Sequence, residues 1–452
     1  MKKQDLDSSL QEIGKAREYL KESQKNLERL KSGKGVKRKF RFLFQENKIL
    51  VVLLSVLIIL SIVLPVVFLR PEPVVTDPMQ EHVDSTINLI FTNFTDSTGL
   101  PFTNETVQTP SSELLILSSL TYALIEQAGF EHNKNDFQTK ISKIINTLEN
   151  DTFVSYINRS ESLSIFYQFL GIYTLLQSYF TLTEDSAIIS TEMIRQTVST
   201  VLDSYYSSEK GLIIQPMTNS SYLKDQAIAV WVLASYQLLT GTEYLVGYWL
   251  VNIISSILIE ISQCYFNSTT STFYSDYDYS INESTSIATI EDLIFLTAAL
   301  SKSERLHHLF TRSSYNVHQQ IITDFVDDDW YVHSSNRTDN EKYIKNQAYF
   351  TLVSYLMNLN NVGSEVQNKI TENFSLNYGF VEKEGEVDIT CESCLYGLIA
   401  LSSKNWSVVE NDRESAYEAT SANSSHIRIL LASLVLATLL ISRRRIFIKR
   451  RW

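Results

Sequence analysis

Between about Asp84 and Lys404, hydrophobic and polar positions fall into a rhythm of six beats. Each beat has an amphipathic run, a short extended stretch, a polar loop and a nearly all-apolar run. Ile141, Ile144, Ile145 and Leu148 stand at i, i+3, i+4 and i+7, which is one face of a helix. Ala227, Ile228, Ala229, Val230, Trp231, Val232, Leu233 and Ala234 leave no polar stripe, so that run predicts a helix buried on all sides. The extended stretches begin at Gly99, Thr152, Gly211, Thr272, Trp330 and Tyr378. Recurrence roughly every fifty to sixty residues marks a repeat architecture. Six pairs predict twelve helices, with the apolar member of each pair inside and the amphipathic member outside. An open array would need polar capping repeats at its ends, and neither terminal beat supplies one, so the pattern predicts a closed ring.

The segments Leu223-Lys224-Asp225-Gln226-Ala227 and Ile344-Lys345-Asn346-Gln347-Ala348 open two of the apolar runs. They resemble the start of inner helices in the (α/α)6 toroid superfamily, the six-hairpin glycosidase-like enzymes, and the pattern covers residues 80 to 404. The resemblance implies an all-α toroid of twelve helices with short hairpins at one end, where the inner helices begin. It also implies catalytic carboxylates there. The matching positions are Glu113, Glu161, Asp225, Glu291, Asp292, Asp388 and Glu392. Asp225 with Glu291 or Asp292 is the expected acid and base or nucleophile of glycosidic cleavage, with Glu392 as a further catalytic candidate. Asp and Glu also favour the first turn of any helix, through capping and the helix dipole. Tyr222, Tyr274, Trp330 and His333 are the expected substrate-binding residues, because aromatic faces stack on sugars. Asp327-Asp328-Asp329 ends an outer helix, which makes it a solvated turn or a weak Ca2+ cluster. None of the central histidines opens an inner helix, which argues against epimerisation.

The flanks differ from the body. Ile49 to Leu69 is an apolar run interrupted only by Ser55, Ser61 and Pro65, long enough to cross a bilayer of about 30 Å. Lys34, Lys37, Arg38, Lys39, Arg41 and Lys48 precede it, so the positive-inside rule places residues 1–48 in the cytoplasm. A second run, within 427–442, is followed by Arg443, Arg444, Arg445, Lys449, Arg450 and Arg451, and predicts a return to the same side. The expected order is therefore a cytoplasmic segment, a signal anchor, a linker over 70–79 and the toroid over 80–404. A stalk over 405–426, the second membrane helix and a basic tail over 443–452 follow. Leu6, Ile13, Leu20 and Leu27 keep a seven-residue spacing, which fits either a coiled coil for self-association or a solvated helix, since Arg17, Gln24 and Lys31 are polar.

Charge sharpens this division. Residues 1–48 carry 14 Lys+Arg against 7 Asp+Glu, and residues 426–452 carry 7 against none, which leaves 18 against 44 between them, a net of −26. So acidic a body repels phosphate backbones and excludes nucleic acid as its partner. Eleven Asn-x-Ser/Thr sequons lie there: Asn93, Asn104, Asn150, Asn158, Asn219, Asn267, Asn282, Asn336, Asn373, Asn405 and Asn423. Cys391 and Cys394 are expected to form a local disulfide outside the cell. The chain calls for no cofactor and no metal. These readings converge on a glycosylated surface or lumenal protein of the cell membrane or endomembrane, with both termini cytoplasmic. Its toroid binds or processes glycans, or else serves as a non-catalytic scaffold whose contacts run through the cytoplasmic helix.

Overall fold

A computed structural model describes residues 77–415, except 104–109, 131–133, 152–162, 183–188, 216–219, 243, 246–247, 280–282, 285, 308–311, 338–340 and 378. These residues belong to one compact unit, Glu72–Trp452. The heptad segment and both apolar runs at 49–69 and 427–442 lie outside the described residues. Among the described residues, no helix is long and apolar enough to cross a membrane.

The described residues form twelve α-helices, two per beat. They are α1 Asp77–Asn93, α2 Ser112–Gln127, α3 Lys134–Asp151, α4 Ile165–Thr181, α5 Thr191–Tyr205 and α6 Leu223–Thr240. Then come α7 Leu250–Glu260, extended by a π-helical turn over Ile261–Tyr265, α8 Ile290–His307, α9 Ser313–Phe325, α10 Ile344–Leu356 and α11 Asn360–Asn373. The last, α12, spans residues 391–415. Even-numbered helices are the apolar ones. In α6, Ala227 through Leu238 are all buried, whereas α5 buries only Ile194, Thr197, Val198, Val201 and Leu202, a single stripe. The all-apolar helices must therefore sit inside and the striped helices must cover them.

Inner helices pack in series, α2 on α4, α4 on α6, α6 on α8 and α8 on α10. Tyr349 of α10 meets Tyr396 of α12 edge-on, with ring centroids 5.4 Å apart. Arg413 of α12 donates to the Gln127 side chain of α2, closing the circle. The expected ring is present.

Among the described residues five of the extended stretches are minimal hairpins, the one beginning at Thr152 lying outside them, and three of the turns are built the same way. Asp96 accepts the N–H groups of Thr98 and Leu100, both at 2.8 Å, and Gly99 follows at φ 84°. Asn267 accepts from Thr269 and Thr270, with Ser271 at φ 56°. Asp327 accepts from Asp329 and Tyr331, with Trp330 at φ 68°. These are Asx turns closed by a left-handed residue. The Asp327-Asp328-Asp329 run is thus a turn, in which Asp328 pairs with the exposed Arg337 at 2.6 Å.

A side chain from the following inner helix then clamps the returning strand. Gln226 bonds the backbone of Ile213, and Gln347 bonds that of Val332 at 3.0 and 2.6 Å. In the last beat Ser393 donates to the Phe380 carbonyl, and Gly397 leaves room for the Phe380 ring where any Cβ would collide.

One boundary departs from expectation. The segment expected to be a stalk from residue 405 is instead the second half of α12, where Trp406, Ser407, Glu410 and Glu414 are all buried. Lys302 of α8 pairs with Glu410 at 3.3 Å and with Glu414, and Arg305 pairs with Glu414 at 2.8 Å. Tyr173 and Gln177 of α4 also reach Glu410, and Arg305 caps the Leu356 carbonyl at the end of α10. The C-terminal ends of the inner helices are thereby tied together at the base of the ring, opposite the hairpins.

Candidate functional site

The hairpin end, or mouth, collects the first turns of the inner helices. Four of these first turns start from a polar cap, while α6 and α10 follow Tyr222 and Tyr343 with no side-chain cap. Ser111 caps α2 and Ser164 caps α4, while Thr289 and Thr390 open α8 and α12. Helix N-termini carry unpaired N–H groups and a positive dipole end, which favours acidic side chains nearby.

Of the four expected catalytic carboxylates, two face one pocket. Glu291 and Glu392 line a cavity of about 200 Å³ together with Tyr343, Lys345, Asn346, Glu382 and Tyr396. Lys224 donates to Glu291 at 3.1 Å from one side, and Lys345 lies 2.7 Å from its other oxygen. Burial alone would push the Glu291 carboxyl up, but Lys345 and Lys224 overcome it and hold it below its ordinary value. Glu291 is therefore a fixed anion.

The other two turn away. Asp292 accepts from the Thr289 N–H at 2.7 Å and from the Thr289 hydroxyl at 2.8 Å, while its own N–H returns to that hydroxyl. This reciprocal capping box explains its place at the third position of α8. Asp225 is 8% exposed, and burial, with Asp292 nearby, pushes its carboxyl up to about 7 against the pull of Lys224 and the Phe166 N–H. Neither Asp225 nor Asp292 lines the pocket. The expected pairing of Asp225 with Glu291 or Asp292 across a cleft gives way to a facing of Glu291 and Glu392. Adjacent helix residues point about 100° apart, so Glu291 and Asp292 cannot share a role.

Beneath the pocket lies a phenol cluster. The Tyr396 hydroxyl is buried beside those of Tyr167 and Tyr349, within hydrogen-bonding reach of both. Burial, then the nearby Glu113, Glu392 and Glu291, raises the Tyr167 phenol far above its usual range.

The expected substrate-binding aromatics divide similarly. Tyr222 is 39% exposed at the start of α6. Tyr274 accepts a hydrogen bond from the Asn267 side chain at 3.2 Å, inside its own hairpin. Trp330 is the left-handed residue of its turn. His333 is buried and bonded to Asp327 at 2.8 Å, so it braces the hairpin and does not face the pocket. Glu161 lies outside the described residues, and Asp388 is exposed on a loop.

Cys391 and Cys394 are free thiols, and the expected disulfide is absent. Both sit in the first turn of α12 and both are buried. Burial pushes the Cys394 thiol up to about 12, which leaves it unreactive. Among the sequons, Asn93, Asn336 and Asn373 are exposed, Asn267 is half-buried and Asn405 lies within α12 instead of a stalk. Asn150 ends α3, and Asn104, Asn158, Asn219, Asn282 and Asn423 lie outside the described residues.

No family model matches the chain, and no curated protein matches it by sequence. Solved structures do share its fold. A GH76 α-mannanase of Bacteroides thetaiotaomicron is 9% identical over 73% of this chain and 96% of its own, with a TM-score of 0.55. An inactive GH76 α-1,6-mannanase variant from Salegentibacter, with two adjacent aspartates replaced by asparagine and α-1,6-mannotriose bound, gives 11% identity, 72% and 99% coverage and a TM-score of 0.55. A possible GH105 member from Salmonella enterica gives 12%, 76%, 96% and 0.50. The chain thus has the six-hairpin glycosidase-like (α/α)6 toroid fold.

Proposed function

We propose that the toroid is a glycan-binding module whose mouth pocket holds a single sugar residue of a longer glycan. One observation carries this reading: five inner-helix residues capable of hydrogen bonding, Glu291, Lys345, Asn346, Glu392 and Tyr396, converge on one cavity of about 200 Å³. Pockets of this kind pair apolar walls with a few placed polar groups. The mannotriose complex of the Salegentibacter neighbour supports a sugar as occupant. Binding is favoured over cleavage by the state of the adjacent acidic pair. Glu291 is locked as an anion between two lysines, and Asp292 is spent on capping α8, which leaves no proton donor in that pair.

In this reading the apolar runs at 49–69 and 427–442 anchor the toroid to a membrane, with the sequon-bearing side outside. The full-length protein in detergent, screened against a glycan panel that includes α-1,6-linked mannose oligosaccharides, tests the binding function. Retention of one glycan class, weakened at least tenfold by Glu392→Gln, is the expected result. Absence of binding to every glycan overturns it, and hydrolysis abolished by Glu392→Gln replaces binding with processing.

A further inference from the structure

The charges around the mouth are unevenly spent. Four lysines stand there, and each is already committed to a carboxylate. Lys224 and Lys345 both go to Glu291, Lys342 pairs with Glu384 at 2.9 Å, and Lys383 pairs with Glu341 at 3.1 Å. Lys342 and Lys383 also lie over the rings of Tyr331 and Tyr343. Glu382 and Glu392 line the pocket, and among the described residues no lysine or arginine pairs with either. Beside them, Tyr396 is 3% exposed and lines the same pocket, its hydroxyl among those of Tyr349 and Tyr167.

We infer that the pocket selects a sugar bearing a protonated amine, a 2-amino-2-deoxyhexose. This rests on the glycan-binding reading above. The ammonium supplies three donors and one positive charge, which matches Glu392 and Glu382 in the mouth. A ring hydroxyl of the same sugar occupies the place beside Tyr396. A uronic acid would bring a third uncompensated anion to Glu382 and Glu392, and every lysine that could answer it is occupied. Acetylating the amine removes the charge and the selectivity with it.

The test compares three oligosaccharides of equal length on the full-length protein by calorimetry at pH 6. They are a glucosamine trimer, its N-acetylated counterpart and α-1,6-mannotriose, with an oligogalacturonate as the anionic probe. On the order of tenfold tighter binding of the glucosamine trimer than of either neutral trimer is expected, about 1.4 kcal/mol. Glu392→Gln should erase that preference, and Tyr396→Phe should weaken all three alike. Added salt should narrow the gap. Equal binding of charged and neutral trimers, or a preference that survives Glu392→Gln, overturns the inference and leaves the glycan-binding reading standing. Binding of none of the four overturns both. Tighter binding of the galacturonate overturns the charge argument outright.

Discussion

Gln226 holds Ile213 with both atoms of its amide: Nε2 donates to the Ile213 carbonyl at 2.6 Å, and Oε1 accepts the Ile213 N–H at 2.8 Å. One side chain therefore does for a two-residue hairpin what a neighbouring strand does in a sheet. Gln347 repeats the arrangement on Val332. Gln226→Ala strands both backbone groups in a fully buried place, at a cost of roughly 2–4 kcal/mol. The shift in urea midpoint should match for Gln347→Ala. A loss under 1 kcal/mol at both positions would show that the clamp is incidental.

Asp225 and His318 impose opposite pH dependences. Between the unfolded carboxyl value of 3.8 and the folded value of about 7, native Asp225 keeps a proton that the unfolded chain has released. Stability therefore falls as pH rises through that window, by roughly 4 kcal/mol in all. Burial lowers His318 from 6.5 to about 4, so stability falls as pH drops through that interval, by roughly 3 kcal/mol. The two slopes oppose each other between pH 4 and 6.5. Asp225→Asn should raise stability above pH 7 and unmask the acid-side loss, and His318→Gln should unmask the alkaline-side loss. Thermal unfolding across pH 4–8 reads both, and unchanged profiles would rule the assignment out.

The buried ions at the base predict asymmetric mutant behaviour. Lys302→Met leaves Glu410 and Glu414 facing each other with only Arg305 against Glu414, and should cost about 3–5 kcal/mol. Adding Glu410→Gln to Lys302→Met should recover part of that loss. A double variant worse than the single one in thermal unfolding would contradict the pairing.

Ser271 sits at φ 56° on an exposed turn, where a left-handed non-glycine residue costs about 1–2 kcal/mol. Ser271→Gly should stabilise the fold by roughly 1 kcal/mol, measured as an upward shift in Tm. A downward shift would mean that the Asn267 turn depends on the serine.

Helix periodicity made the ring legible, because an all-apolar helix has only one kind of place to go. The Gln-Ala pairs were legible as family-like, although their physical task, clamping a hairpin, required the fold to be seen. Which acid faces the pocket was not legible. Glu291 and Asp292 are neighbours in the chain, and the rotation that points one inward sends the other to Thr289. Lys345 and Asn346 carried a signal, since they precede Gln347 in the quoted segment. Tyr396 carried none. The reach of α12 was hidden for a different reason: Trp406, Glu410 and Glu414 share a face, but charges on that face look solvated until Lys302, far away in the chain, is brought beside them.

That base has a mechanical meaning. A pull on residue 415 would not peel away a terminal helix one turn at a time, because Glu410, Glu414 and Arg413 are fastened sideways to α4, α8 and α2. The load enters as shear across parallel helices and must break all these ties together. A ring secured in this way can bear tension at one end while its hairpins, and the pocket they surround, stay unstrained at the other.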